Sequence, residues 1–433
     1  MSKINNKRIV KNTRLGGEYI EIDHATGLKI KLFPMPGYSS AFALFGTKYG
    51  SVDVTFKTAN DQDFITVPNG IAHYLEHKLF ESEECDAFSL FAKTGANCNA
   101  FTSFDATAYL FGCSQKFEEN LEILLKFVQE PYFTDENVAK EQGIIGQEIR
   151  MYDDDPGWRV FFNGLQGIFH SNPVRIDIAG TVQSIAEINK DLLYRCYNTF
   201  YNPRNMVLSI AGNFDPDTVV DLCDKLVKEA PDLKLETIIP EEPDDVKEKY
   251  VSQKLEVAMP LASLGFKING VSDSESPKLY VLYNMLMETL LGHTSSFYTD
   301  AVKSRLISES NYRVGVFNAR GAFVLTAEFE ADDPKKVRDE LIKTLEAAKL
   351  NGIPEAEWNN VRKQTYGEFV KQFGSVQSVA LAMLEAAFKD GGAFDLAETA
   401  ADATIGQMTE LLGRINTDYA TLSVIEPIDK PTD

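Results

Sequence analysis

The stretch Gly70-Ile71-Ala72-His73-Tyr74-Leu75-Glu76-His77-Lys78-Leu79-Phe80 places two of the chain's five histidines four residues apart. That spacing constrains the backbone. Positions i and i+4 stand one turn apart on the same face of an α-helix, so a helical stretch lets both imidazoles reach one ion. Glu76, three residues after His73, falls beside the pair. Neutral imidazole is a good zinc ligand, and zinc brings the pKa of water near neutrality, so a neighbouring carboxylate can act as base. The order H-x-x-E-H is H-E-x-x-H with the glutamate at the other end. With 5 His and 64 Asp+Glu in 433 residues, chance supplies such a match roughly 0.01 times per chain. A structural zinc site would use the same pair. What marks a catalytic one is a third protein ligand and an open position.

Candidates for the third ligand lie some seventy residues on, in Thr134-Asp135-Glu136-Asn137-Val138-Ala139-Lys140-Glu141-Gln142-Gly143-Ile144-Ile145-Gly146-Gln147-Glu148-Ile149-Arg150. Asp135 is the expected N-cap of this helix, and the run from Asp153 to Pro156 and Gly157 its stop. Glu141 and Glu148 are two turns apart and share a face, so one can bind metal while the other orients a histidine. A lone glutamate on a helix reads otherwise as a solvated charge.

On these residues the chain resembles the insulinase/pitrilysin (M16) zinc peptidases, closest in wording to their bacterial YmfH-like branch. The wording that carries this is Gly70-Ile71-Ala72-His73 and Asn99-Ala100-Phe101-Thr102-Ser103-Phe104. The resemblance covers nearly the whole chain. It implies Zn2+ held by His73, His77 and Glu148, with Glu76 as general base and Glu141 supporting the site. It also implies that the strand of Asn99 and Ala100 takes a peptide substrate as an added strand. Asn99 alone reads as readily as a residue bonding its own backbone. Gly50-Ser51-Val52-Asp53 resembles the family's strand leading into the zinc helix. In the second half the resemblance makes Arg305 and Tyr312, seven residues apart, substrate contacts that help hold a tetrahedral oxyanion, and both groups are good donors to developing negative charge. A surface arginine beside a strand tyrosine is an equally ready reading of that pair.

The expected fold is α+β: two related halves, each an antiparallel or mixed sheet backed by helices, of the M16/LuxS-like metallohydrolase type. The resemblance adds a clamshell enclosing peptide, completed by a homodimer or by a heterodimer with an M16 paralogue. Residues 18 to 57 alternate as strands, with turns at Ala25-Thr26-Gly27 and Pro36-Gly37. Segment 229–249, dense in acids and holding Pro231, Pro240 and Pro243, reads as an extended, solvated linker between domains 1–228 and 250–433. The pattern then restarts. Ser209 to Leu226 and Val324 to Leu345 both read strand, acidic turn with proline, helix, and the second-half equivalent of the zinc helix falls at about Lys278 to Leu291, without a metal motif.

Charge and composition narrow the partners. A net charge of −21 speaks against nucleic acid and anionic membranes. No run of 18 apolar residues is present, and no apolar segment follows the first basic residues as in a signal peptide. Five cysteines, Cys85, Cys98, Cys113, Cys196 and Cys223, include no C-x-x-C pair and read as reduced thiols of a cytoplasmic protein. His24, His170 and His293 read as turn or cap residues. The leading expectation is a zinc endopeptidase acting on peptides or unfolded segments. The rival is a zinc-binding assembly subunit without peptidase activity.

Overall fold

The computed structural model describes residues 3–83 and 86–428, so Cys85 lies outside it. The chain begins with β1 (Ile4–Asn12), ahead of the alternating run, which becomes β2 (Gly17–His24), β3 (Lys29–Pro34), β4 (Ala41–Thr47) and the short β5 (Thr55–Lys57), followed by β6 (Ile65–Thr66). Next come the helices α1 (Ile71–Leu79) and α2 (Ala87–Thr94) and the hairpin of β7 (Asn97–Thr102) and β8 (Thr107–Cys113). After it follow α3 (Phe117–Phe127), α4 (Asp135–Asp153) and α5 (Pro156–Ile168). The first half closes with β9 (Met206–Gly212), and β10 (Glu236–Thr237) pairs with β5. The second half supplies β11 (Tyr250–Leu255), β12 (Leu261–Lys267), β13 (Arg313–Ala319), β14 (Ala322–Glu330) and β15 (Ala420–Pro427).

Two main sheets result. The first runs β1-β2-β3-β9-β4-β8-β7 and the second β11-β15-β12-β14-β13. Without β1 and β2 the first has the same order of connection as the second. In each, one parallel pair (β3 with β9, β11 with β15) is followed by antiparallel neighbours. The α+β reading therefore holds, and the two halves are built alike. β4 and β9, central in the first sheet, are buried at every residue, as continuous apolar runs covered on both faces require.

The compact units do not follow the chain as two consecutive blocks. One comprises Met1–Gln147, Asp177–Ile238 and Val370–Phe394, the other Glu148–Ile176, Ile239–Phe369 and Asp395–Asp433. In the first unit the helix Val376–Phe388 packs on β9, β4 and β3, and Ser209 Oγ donates to Ala380 O at 2.6 Å. In the second, α5 packs on β15, β12 and β11. Gly265 makes room for it, since a Cβ there would lie 2.6 Å from Ile168 Cδ1. The expected division at 229–249 is thus crossed by a helix from each half. An apolar helix face states that it must be covered, not which sheet covers it.

Segment 229–249 is extended and mostly solvent-exposed, as expected, and it is also tethered: Pro231 O accepts from Asn202 Nδ2 at 2.8 Å and Leu233 O from Ala59 N–H at 2.7 Å. Farther on, Glu242 accepts the N–H groups of His170, Ser171 and Asn172, and the buried Lys267 donates to Pro243 O and Asp245 O. The repeat is real, but the matched pieces are not equivalent, because β14 corresponds by sheet order to β8 and β9 to β15. Asp215 and Asp333 each N-cap a helix that begins with proline. That is a general helix-start signature which any strand-to-helix turn can carry. The helix Ser276–Leu291, after β12, does stand where α1 stands after β4. Among the described residues no helix is long and apolar enough to cross a membrane.

Candidate metal centre

The helix α1 is buried along most of its surface, with Ile71, Ala72, Tyr74, Leu75, Lys78 and Leu79 inside, and it packs on β7, β8 and the helix Lys190–Phe200. The N-cap is Gly70, at φ +89°, with no side-chain hydrogen bond. A Cβ there would lie 2.4 Å from Ala179 O, so both the left-handed conformation and the close approach require glycine. Gly50 to Asp53 form a loop, not a strand. Ser51 and Val52 donate N–H groups to Ser103 O and Phe104 O, docking this loop on the β7–β8 turn.

Helix α4 starts one residue earlier in effect than expected. Thr134 Oγ1 accepts the Asn137 N–H at 3.1 Å while Asn137 Oδ1 accepts the Thr134 N–H at 2.9 Å, a reciprocal cap that leaves Asp135 as the first helical residue. The boundary between the compact units falls inside this helix, at Gln147/Glu148, and Glu141 and Glu148 both lie on it. Tyr74 OH donates to Val138 O and ties α4 to α1.

With the two helices so held, ligand atoms of His73, His77 and Glu148 lie within 4.8 Å of one another. The His73 and His77 rings are 4.6 Å apart, centroid to centroid. Two imidazoles and a carboxylate form the donor set of catalytic zinc sites, and the group is compact enough for one ion to reach all three after small side-chain movements. Burial first, and then the neighbouring His77, push the His73 pKa down to about 3, so this imidazole is neutral at pH 7 and keeps a lone pair for a metal.

Glu141 holds the second histidine. Its Oε1 lies 3.0 Å from His77 Nδ1, and its Oε2 is 3.9 Å from the ammonium of the fully buried Lys78, which also pairs with Glu81. Burial works to raise the Glu141 pKa. The hydrogen bond from His77 and the charges of His77, Lys78 and Lys140 outweigh it, and the carboxyl is held below its ordinary value. In the neutral ring that a metal requires, Nδ1–H would donate to Glu141 and leave the lone pair on Nε2. Glu141→Gln is expected to weaken zinc binding by about tenfold or more, read by competition with a chelating dye. Unchanged affinity would remove Glu141 from the site.

Glu76 accepts a hydrogen bond from Thr102 Oγ1 at 2.7 Å. Neither the metal motif nor the resemblance gives Thr102 a role. Its one signal was that residues 100 and 102 share a face of a strand. β7, which carries Thr102, is the edge of its sheet. Ser103 N–H donates to Ala106 O at 2.7 Å, and alternation from that pair turns the N–H and C=O of Cys98, Ala100 and Thr102 away from β8. Asn99 Oδ1 accepts the Ala100 N–H at 2.9 Å, a bond to its local backbone.

Arg305 and Tyr312 lie in the second unit. Arg305 is exposed, at φ +57°, after the helix Ser296–Lys303. Tyr312 is 4% exposed and donates its hydroxyl to Leu291 O at 2.7 Å. Burial, then Glu288, raise its pKa. The phenol's hydrogen bond is thus made within the core, where a main-chain carbonyl satisfies a buried hydroxyl. His24 is buried between Thr26 Oγ1 at 2.8 Å and Asp224 Oδ1 at 3.0 Å, and His170 faces Asp245 at 3.2 Å. Cys98, Cys113, Cys196 and Cys223 are free thiols.

Residues 66–182 match the family described as Insulinase (Peptidase family M16), and residues 187–365 match the Peptidase M16 inactive domain. The uncharacterized zinc protease YmfH of Bacillus subtilis is 37% identical over 93% of this chain and 95% of its own length. An M16-like peptidase from Alicyclobacillus acidocaldarius superposes with a TM-score of 0.89 at 31% identity, covering 98% of each chain. A protease from Helicobacter pylori shares the fold, with a TM-score of 0.80 at 19% identity over 95% of this chain and all of its own.

Proposed function

Because this chain belongs to the insulinase family of peptidases, M16, we propose that it is a zinc-dependent endopeptidase cleaving peptides or unfolded polypeptide segments. One observation carries the reading: His73, His77 and Glu148 converge within 4.8 Å, next to a carboxylate, Glu76, on the helix face of the two histidines. Zinc bound there would lower the pKa of water and polarise a scissile carbonyl. Glu76 would take the attacking water's proton and deliver it to the leaving amine. The outward N–H and C=O groups of β7 would pair with the substrate backbone, which holds a peptide with little regard to its side chains. Asn99 would have to release the Ala100 N–H for such pairing.

The test is metal removal. Dialysis against 1,10-phenanthroline is expected to abolish cleavage of a quenched fluorescent peptide library, and one equivalent of zinc per chain to restore it. Cleavage that survives with no metal left in the protein would end the proposal.

A second reading rests on Tyr312, whose hydroxyl is committed to Leu291 O. If the second half supplies no oxyanion donor, the chain would bind zinc and act as the partner of an M16 paralogue. Bound zinc without cleavage, and cleavage only after a paralogue is added, would favour it.

A further inference from the structure

Thr102 has no part in metal binding, yet its hydroxyl meets the group proposed as base. Its Oγ1 lies 2.7 Å from Glu76 Oε2. An ionised carboxylate only accepts, so the Thr102 proton must lie between the two oxygens. Thr102 pairs across the sheet with Thr107, which is fully buried and donates to Tyr49 O at 2.8 Å. The two threonine oxygens are 3.4 Å apart. Thr102 and Thr107 form one of the pairs not bonded through the backbone, in which side chains stand closest. The β-branched Thr102 is therefore held against a fixed, buried neighbour, and its hydroxyl is aimed at α1.

We propose that Thr102 is the positioning residue of Glu76, through which the strand that takes the peptide also orients the base. This rests on the peptidase reading above. Thr102 follows Ala100 by two residues, so the strand whose edge would hold the scissile bond is the strand that fixes Glu76 Oε2. Proton transfer is thereby assigned to Glu76 Oε1. A base turned by one rotamer away from the docked peptide would still bind nothing less and would react more slowly, which is a loss in kcat and not in KM.

Thr102→Val keeps the shape and removes the hydroxyl, and Thr102→Ser restores it. The expected result for Thr102→Val is zinc content equal to wild type, KM within about twofold, and kcat lower by about 10- to 100-fold. Thr102→Ser should recover most of the loss. Wild-type kcat in Thr102→Val, or a loss that serine does not rescue, overturns the proposal. Crystal structures of wild type and Thr102→Val give a second readout, with the Glu76 carboxylate expected to rotate only in the variant. Should wild type cleave no peptide, the peptidase reading fails separately, and an unchanged Glu76 orientation in the pair of structures overturns the role of Thr102.

Discussion

Glu76→Gln is expected to bind zinc as wild type does and to cleave peptides about 10²- to 10⁴-fold more slowly, the range for loss of a general base. The substitution is nearly isosteric and keeps an acceptor for Thr102 Oγ1, so the contact at 2.7 Å survives and the change is confined to proton transfer. Glu76 is half-buried on a helix otherwise locked into the core, so the fold has little to lose. The measurement is cleavage of the fluorescent peptide library beside metal analysis of the same samples. Activity near wild type would remove Glu76 as base. Zinc lost along with activity would place it among the ligands.

Glu148→Ala should fail in a different way. Removing one of three protein ligands is expected to cost more zinc affinity than the roughly 10- to 100-fold typical of a supporting residue, and activity should fall with metal occupancy. Glu148 is only half-buried near the end of α4, so unfolding is not the expected route of loss. Raising zinc in the assay should recover part of the activity of Glu141→Gln, less of Glu148→Ala, and none of Glu76→Gln. A supporting group, a ligand and a base each give one of these three responses. If Glu148→Ala retains one zinc per chain with wild-type affinity, the third ligand lies elsewhere.

Helix geometry made the metal pair legible and put Glu141 and Glu148 on one face, while the resemblance to the family supplied their separate roles. A spacing of four or seven residues means the same face on any α-helix, whatever surrounds it. The alternation that marks strands and the Asp-Pro starts of helices are also local, and they appear at β2 to β4, Asp215 and Asp333. The same local character misled where two turns looked alike, since Ser209–Leu226 and Val324–Leu345 share a helix-start signature and occupy different places in their sheets.

Tertiary structure decided everything that depends on which distant surface arrives. It placed α5 on the second sheet and Val376–Phe388 on the first, because an apolar face is satisfied by any apolar partner of fitting shape. It turned the Tyr312 hydroxyl onto Leu291 O and the Thr102 hydroxyl onto Glu76, contacts across 21 and 26 residues that no periodicity encodes. It also made Gly70 obligatory through Ala179 O, more than one hundred positions away. The chain's own spacing determines which groups can share a helix face. Only close packing of remote elements determines what those groups meet.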